Sequence, residues 1–515
     1  MTEYPTSTRS RRLVSRRRSP LVVLAAGACV VLAACGSQVP PSKFVGAQAG
    51  LLGNGVAGGG SSLVANGGGG TVTGGGGGGT ATTGNTGTGS TGGNGAVTTG
   101  GGGGGSTGGG GSSGGGGGKA SSGKGGTGTG PSITAGSCAG FTNGPGMTNS
   151  TIKIANASDL SGPVPGLFRG AEQAVAAYVA YFNSTSSICG RKLELESLDS
   201  QTSSTGDQQA AQSACSSAFA MVGSMGSFDD GGAQTVTQCG IPDLRAATTE
   251  YSRLQSPDVY AAQSLNVESE PTEPADFYKK QFPGVASKAA FVYLNAGASS
   301  LNASSEIKAW THEGFHFVYT AGIPVTEINY TGYVTKMQSA GVKYVQYVGA
   351  YQEAVQLEQA MAQQNFHPMF VMDPTAYDPG YVSSGGSAVE GTHVWINSQL
   401  FEDASHYPEL SLYMQWLNRV SPGAAPSYFG IFAWAAAELF TQEAIKLGGK
   451  LTRKSLLQQL KTVDNYTGNG MFGPQHVGRK TTGSCYQFIV LKGGKWVSEG
   501  PGHLVCGGDY NTGVT

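Results

Sequence analysis

The sequence predicts an α/β fold built from two doubly wound parallel-sheet lobes, preceded by a disordered glycine-rich tether. Three observations carry this. "TIKIANASDLSGPVPGLFRGAEQAVAAYVAYFN", Thr151 to Asn183, reads as a strand, a small polar loop and a helix. Strand-like and helix-like patterns then alternate in two series that break near Pro271, as parallel strands with helical crossovers require. The chain's 86 glycines are concentrated before residue 131, so the folded mass is smaller than 515 residues suggest.

The elements follow in order. After the β-branched opening strand, Ala171, Val175, Tyr178, Val179 and Phe182 recur at a 3.6-residue period, the face of a helix lying on a sheet. Lys192 to Leu198 alternates as a strand, Gln208–Phe219 reads as a helix and Met221–Gly223 as a short strand. Ala233–Thr237 begins a helix and Ile241–Leu244 a strand. In the second series the helices are Phe277–Phe282, Ser304–His312, Tyr333–Ala340 and Gln352–Gln364. Its strands are Ala289–Leu294, Phe315–Tyr319, Tyr344–Val348 and Met369–Met372. A long apolar helix, Tyr428–Leu447, follows, and then a hairpin of Cys485–Leu491 and Lys495–Cys506 that turns at Gly493-Gly494.

A net charge of −1 with 12% charged residues gives no basic stripe, so a nucleic-acid partner is not expected. Arg9 to Arg18 followed by apolar Leu21–Ala34 reads as a signal peptide over residues 1–34. The run is short for a membrane span. Leu32-Ala33-Ala34-Cys35-Gly36 resembles the bacterial lipobox, which implies acylation of Cys35 and a lipid anchor on the extracytoplasmic face of a bacterial cell membrane. Ser10-Arg11-Arg12-Leu13-Val14 fits both a twin-arginine signal and a plain basic leader. Residues 35–130 hold few large apolar side chains, cannot offset their ordering entropy, and read as a flexible linker reaching about 45–60 Å. Gly118 to Gly125 nearly spells a phosphate-binding loop but lacks its final Ser/Thr and the flanking strand and helix.

Ligands of open parallel sheets bind beyond the carboxyl ends of the strands. The loops expected there are Ser158–Phe168, Ser224–Asp230 and Ala246–Glu250 in the first lobe. In the second they are Asn295–Asn302, Ala350–Gln352 and Asp373–Tyr377. Their hydroxyls and free N–H groups suit a small polar or anionic group.

"IKIANASDLSGPVPGLFRGAEQAVAAYVAYFN", "GRKLELESLDS", "VGSMGSFDDGGAQTV" and "IPDLRAATTE", with "INYTGYVTKMQSAGVKYVQYVGAYQEAVQLEQAMAQQNFHPMFVMDP", resemble type I periplasmic binding proteins. The closest group is the leucine/isoleucine/valine-binding family of ABC-transporter substrate-binding lipoproteins. The resemblance covers Ser150 to about Val497. It implies two lobes that close by hinge motion, with crossings near Gln263–Glu270, Trp395–Gln399 and the C-terminal hairpin. Lobe 1 is then about 150–268 and 396–465, and lobe 2 about 269–395 and 480–515, within a ligand-binding domain of 131–515.

The resemblance also implies roles. Ser227 would bind a ligand carboxylate through its hydroxyl and N–H. The Ala246 carbonyl would face an ammonium, Thr248 would reach both ends, and Tyr351 would supply an aromatic. Asp373 would pair with the ammonium, and Phe168 is the aromatic offered by the short loop after Pro163. The chain departs from the pattern in "NAGASSLN", which lacks a tyrosine, and in Asp229 and Asp230 beside a carboxylate site.

The six cysteines beyond the leader suggest three disulfides behind an export signal. The resemblance places Cys215 near Cys239; Cys485 and Cys506 sit on the hairpin arms, leaving Cys138 with Cys189. His312-Glu313-Gly314-Phe315-His316 matches HExxH, but Gly314 reads as a helix stop, which would part the histidines. The expectation is a monomeric solute-binding protein, not an enzyme, without cofactor or metal. It would hand an amino acid-like ligand to an ABC permease; a lipid-anchored sensor of the same fold is the alternative.

Overall fold

The computed structural model describes Thr134–Thr515. The signal peptide, Cys35 and the glycine-rich linker lie outside the described residues.

The first series gives β1 (Thr151–Ser158), α1 (Arg169–Thr185), β2 (Lys192–Asp199), α2 (Ser204–Ser217), β3 (Ala220–Val222), α3 (Ala233–Cys239), β4 (Asp243–Ala247), α4 (Tyr251–Gln255) and β5 (Val259–Gln263). The five strands form one parallel sheet in the order β2-β1-β3-β4-β5. Alternation along β1 explains why both faces are covered. Ile152 and Ile154 pack with Val175 and Tyr178 of α1, while Ala155 and Ala157 pack with Ala210 and Ala214 of α2 and Val236 of α3.

The second series gives β6 (Ser269–Pro271), α5 (Glu273–Gln281), β7 (Ala289–Leu294), α6 (Ala298–His312), β8 (Phe317–Ile323), α7 (Thr331–Ser339), β9 (Tyr344–Val348), α8 (Tyr351–Gln363), β10 (Met369–Met372), α9 (Pro379–Gly385) and β11 (His393–Ile396). The chain then runs through α10 (Pro408–Val420), α11 (Tyr428–Leu447) and α12 (Arg453–Leu460) before β12 (Cys485–Lys492), β13 (Lys495–Glu499), β14 (Val505–Cys506) and β15 (Asp509–Asn511). The second sheet has the order β13-β12-β11-β10-β9-β7-β8, parallel from β8 to β11 and antiparallel beyond. β14 pairs with β12, and β15 with β6.

Helix α11 packs on α1, β4 and β5, so the α10–α12 segment belongs to the first sheet. The chain therefore passes between sheets after β5, after β11 and between α12 and β12. Fifteen of the twenty α11 residues are buried, so its apolarity serves the core. Among the described residues no helix is long and apolar enough to cross a membrane.

Three readings shift. Val259–Gln263, not expected from the sequence, is an edge strand with every residue buried. Helix α6 begins at Ala298, six residues early, because Gly297 at φ +51° turns the chain into it. The second hairpin arm stops at Glu499, and the chain returns as β14. The three disulfides are Cys138–Cys189, Cys215–Cys239 and Cys485–Cys506, as paired above.

Candidate ligand-binding site

The strand ends of both sheets meet at a cavity of about 330 Å³. The β1–α1 loop contributes Val164, Leu167 and Phe168, and the β3–α3 loop contributes Ser227 and Phe228. Leu294, Asn302 and Glu306 reach it from β7 and α6, and Gly349 and Ala350 from beyond β9. Asp373 and Thr375 follow β10, Trp395 lies in β11, and Tyr428 and Phe429 open α11. Gln263, Asn266 and Glu270 come from the first crossing.

The lobes touch directly over this space. Val164 of the first packs against Leu294 and Ala350 of the second. The Ala298 N–H, at the start of α6, donates to the Ser227 carbonyl at 3.0 Å. Phe168 stands edge-on to Phe429 with centroids 5.3 Å apart, which closes the wall beside α11.

Phe168, Ser227 and Asp373 line the cavity, whereas Ala246, Thr248 and Tyr351 do not. Ala246 and Thr248 are fully buried in the first lobe; the next residue, Thr249, reaches the wall and donates to the Gly226 carbonyl at 2.6 Å. Tyr351 turns away to stand edge-on to Tyr381, and its backbone neighbour Ala350 takes the wall position. Glu270, Glu306, Gln263 and Trp395 were not foreseen. Glu306 had a readable signal: it shares the buried face of α6 with Ala303, Ala309 and Trp310. An acid on an apolar helix stripe calls for a partner.

Ser227 is already engaged. Its N–H and hydroxyl donate to Asp159 Oδ2 at 2.8 and 2.9 Å. Asp159 Oδ1 accepts the Ser200 hydroxyl at 2.6 Å and the Thr202 N–H at 3.1 Å. Behind this, Asp229 ties two cleft loops together. It accepts the Thr249 and Glu250 N–H groups at 3.1 and 2.9 Å and faces Arg245 at 3.3 Å. Burial still pushes its carboxyl up to about 6, against the opposing pull of Arg245 and Arg253.

On the opposite wall, burial raises the Asp373 carboxyl to about 6 although Thr375 and Gly349 N–H groups donate to it at 2.9 and 3.1 Å. Glu306 is held well above the usual carboxylate range by burial and by the negative charges of Glu270 and Asp373. Burial raises Glu270 as well. Among the described residues, no lysine, arginine or histidine lines the cavity.

Among the described residues, no cluster of His, Cys, Asp and Glu could hold a metal ion. Helix α6 ends at His312, Gly314 takes φ +96°, and His312 stacks on Tyr510 at 4.1 Å. The two histidines of the HExxH string therefore share no helix face.

A family model described as periplasmic binding protein matches residues 151–495. The chain belongs to this periplasmic binding protein family. A search of the curated proteins finds no match. Among solved structures, the branched-chain amino acid transporter substrate-binding protein LivJ from Streptococcus pneumoniae, in complex with isoleucine, is similar at TM-score 0.60 and 14% identity. It covers 69% of this chain and 100% of its own. A solute-binding protein of an ABC transporter from R. palustris, in complex with 4-hydroxybenzoate, aligns at TM-score 0.57 and 16% identity over 70% of this chain and 97% of its own. A fatty acid ABC transporter substrate-binding protein from Thermomonospora curvata aligns at 0.60 and 16%, over 72% and 95%. At these identities the likeness of the periplasmic binding protein described here to these structures is one of fold.

Proposed function

We propose that this periplasmic binding protein is an extracytoplasmic, lipid-anchored receptor that captures a small polar ligand, an amino acid or a related compound. It delivers that ligand as a monomer to an ABC permease. Cys35 carries the anchor. Lobe 1 is about 150–268 and 396–465, lobe 2 about 269–395 and 480–515, and the three segments between them act as hinges.

The observation that carries the reading is the cavity of about 330 Å³ at the strand ends of both sheets, with the lobes in contact around it. Small-molecule sites occupy roughly 300–1,000 Å³ and sit at such places. Phe168 and Phe429 supply apolar wall, and Asp373 is a carboxylate able to hold an amine. The isoleucine and 4-hydroxybenzoate complexes of the structural relatives support a ligand of this size.

The test is a thermal-shift screen of the purified chain against amino acids, amides, amines, organic acids and sugars. A ligand that binds only the native state raises the melting temperature. A shift from one compound class that Asp373→Asn diminishes supports the reading; no shift from any class overturns it. Loss of radiolabelled acyl chain in Cys35→Ser tests the anchor separately.

A further inference from the structure

We propose that the cavity takes an organic cation, a protonated amine on a compact apolar body, and rejects carboxylates. This rests on the solute-binding reading above and replaces its amino acid with an amine that carries no carboxylate.

The first argument is that the donors which the family resemblance assigns to a carboxylate, those of Ser227, are taken. Both donors of Ser227 point at Asp159 Oδ2, and Asp159 is fully buried with four hydrogen bonds. An incoming carboxylate at Ser227 would have to displace an internal one and stand beside its charge. Among the described residues, no cationic side chain lines the cavity to offset that.

The second argument is the excess of acceptors on the facing wall. Glu270 from β6, Glu306 from α6 and Asp373 after β10 all line the same space. Glu306 is 6% exposed, and its one hydrogen bond is a long one of 3.4 Å from Gln346. Buried carboxylates are stable when paired with a cation, and no side chain of the lining supplies one.

The third observation is independent of the acids. Gln263 is 3% exposed at the cavity wall; its Nε2 donates to the Tyr428 hydroxyl at 2.8 Å, while its Oε1 has no partner. That oxygen is an acceptor awaiting a donor. Tyr428, Phe429 and Trp395 add aromatic faces, which attract cations. The buried Trp395 Nε1 also lacks a partner, and as one neutral donor it can bond a ligand oxygen but supplies no positive charge to balance a carboxylate.

The experiment compares ligands that share one apolar body and differ in the charged head. Isothermal titration of the purified chain uses phenethylamine, phenylalanine and 3-phenylpropionate, then isoamylamine, leucine and 4-methylpentanoate. The expected result is binding by the amines, at least tenfold weaker binding by the amino acids, and none by the acids. Glu306→Gln and, as a second variant, Asp373→Asn should each weaken the amines tenfold or more, with circular dichroism unchanged. Equal or tighter binding by the acids or amino acids overturns the cation proposal and leaves the solute-binding reading intact. Binding by neither head group also overturns it. The solute-binding reading then fails only if the wider screen is silent too.

Discussion

The carboxylate of Asp159, in the neighbouring loop after β1, occupies both hydrogen-bond donors of Ser227, at 2.8 and 2.9 Å. Ser227 is the residue that the family resemblance assigns to a ligand carboxylate. Here an internal carboxylate satisfies it, and the loops after β1 and β3 are joined as a result.

Removing that carboxylate leaves donors without partners. Asp159→Ala leaves the buried Thr202 N–H, the buried Ser200 hydroxyl and the half-buried Ser227 N–H without their acceptor, at a cost of about 1–3 kcal/mol for each buried donor. The expected loss of stability is about 3 kcal/mol, measured by urea unfolding. A loss below about 0.5 kcal/mol would show that water replaces the carboxylate freely.

A glycine sits where the two lobes meet. A Cβ on Gly297 would lie 2.5 Å from the Ser227 carbonyl oxygen, and its φ of +51° suits glycine. Gly297→Val should hold the lobes apart, weaken the tightest ligand about tenfold or more, and enlarge the radius of gyration in small-angle X-ray scattering of the liganded state. Unchanged affinity would mean that the Ala298–Ser227 bond is incidental to closure.

Stability should fall with rising pH through Glu358. The side chain is buried, accepts the Thr392 hydroxyl at 2.6 Å and the Tyr381 hydroxyl, and burial pushes its carboxyl up to about 8. The unfolded chain releases this proton near pH 4.3, so between about 4.3 and 8 the folded state holds more protons. Its contribution is therefore full below that window and is lost as pH rises through it, by at most ~1.4 kcal/mol per pH unit. Glu358→Gln should flatten the slope in chemical denaturation between pH 5 and 8; an unaltered slope would assign the pH dependence to other groups.

The Cys215–Cys239 bridge ties the end of α2 to the end of α3 across a sequence separation of 24. Chain entropy alone predicts about 3 kcal/mol from a loop of this length. The double Cys→Ser variant should unfold at correspondingly lower urea, and a midpoint equal to that of the parent would show that Arg453, which donates to the Cys215 and Cys239 carbonyls, holds the two helices unaided.

Sequence alone determined the elements whose apolar periods are uninterrupted. Ala289–Leu294, Tyr344–Val348, Met369–Met372 and Tyr428–Leu447 were legible to the residue, because each buries a continuous run between glycine, polar or turn-forming neighbours. The cleft loops were legible for the same reason: they are what lies between such runs at strand ends. Three of the six expected contacts, Phe168, Ser227 and Asp373, stand at the cavity. Ala246 and Thr248 do not, since a one-residue step along a chain leaving a strand moves a side chain to the other face, and Thr249 has the outward one. Tertiary structure decided the rest. Glu270, Glu306 and Asp373 come from three separate elements, and Asp159 lies 68 residues from the serine it occupies. No local period encodes which distant carboxylate takes a given donor. That is set by how two sheets, linked by three crossing segments, bring their strand ends to one cavity.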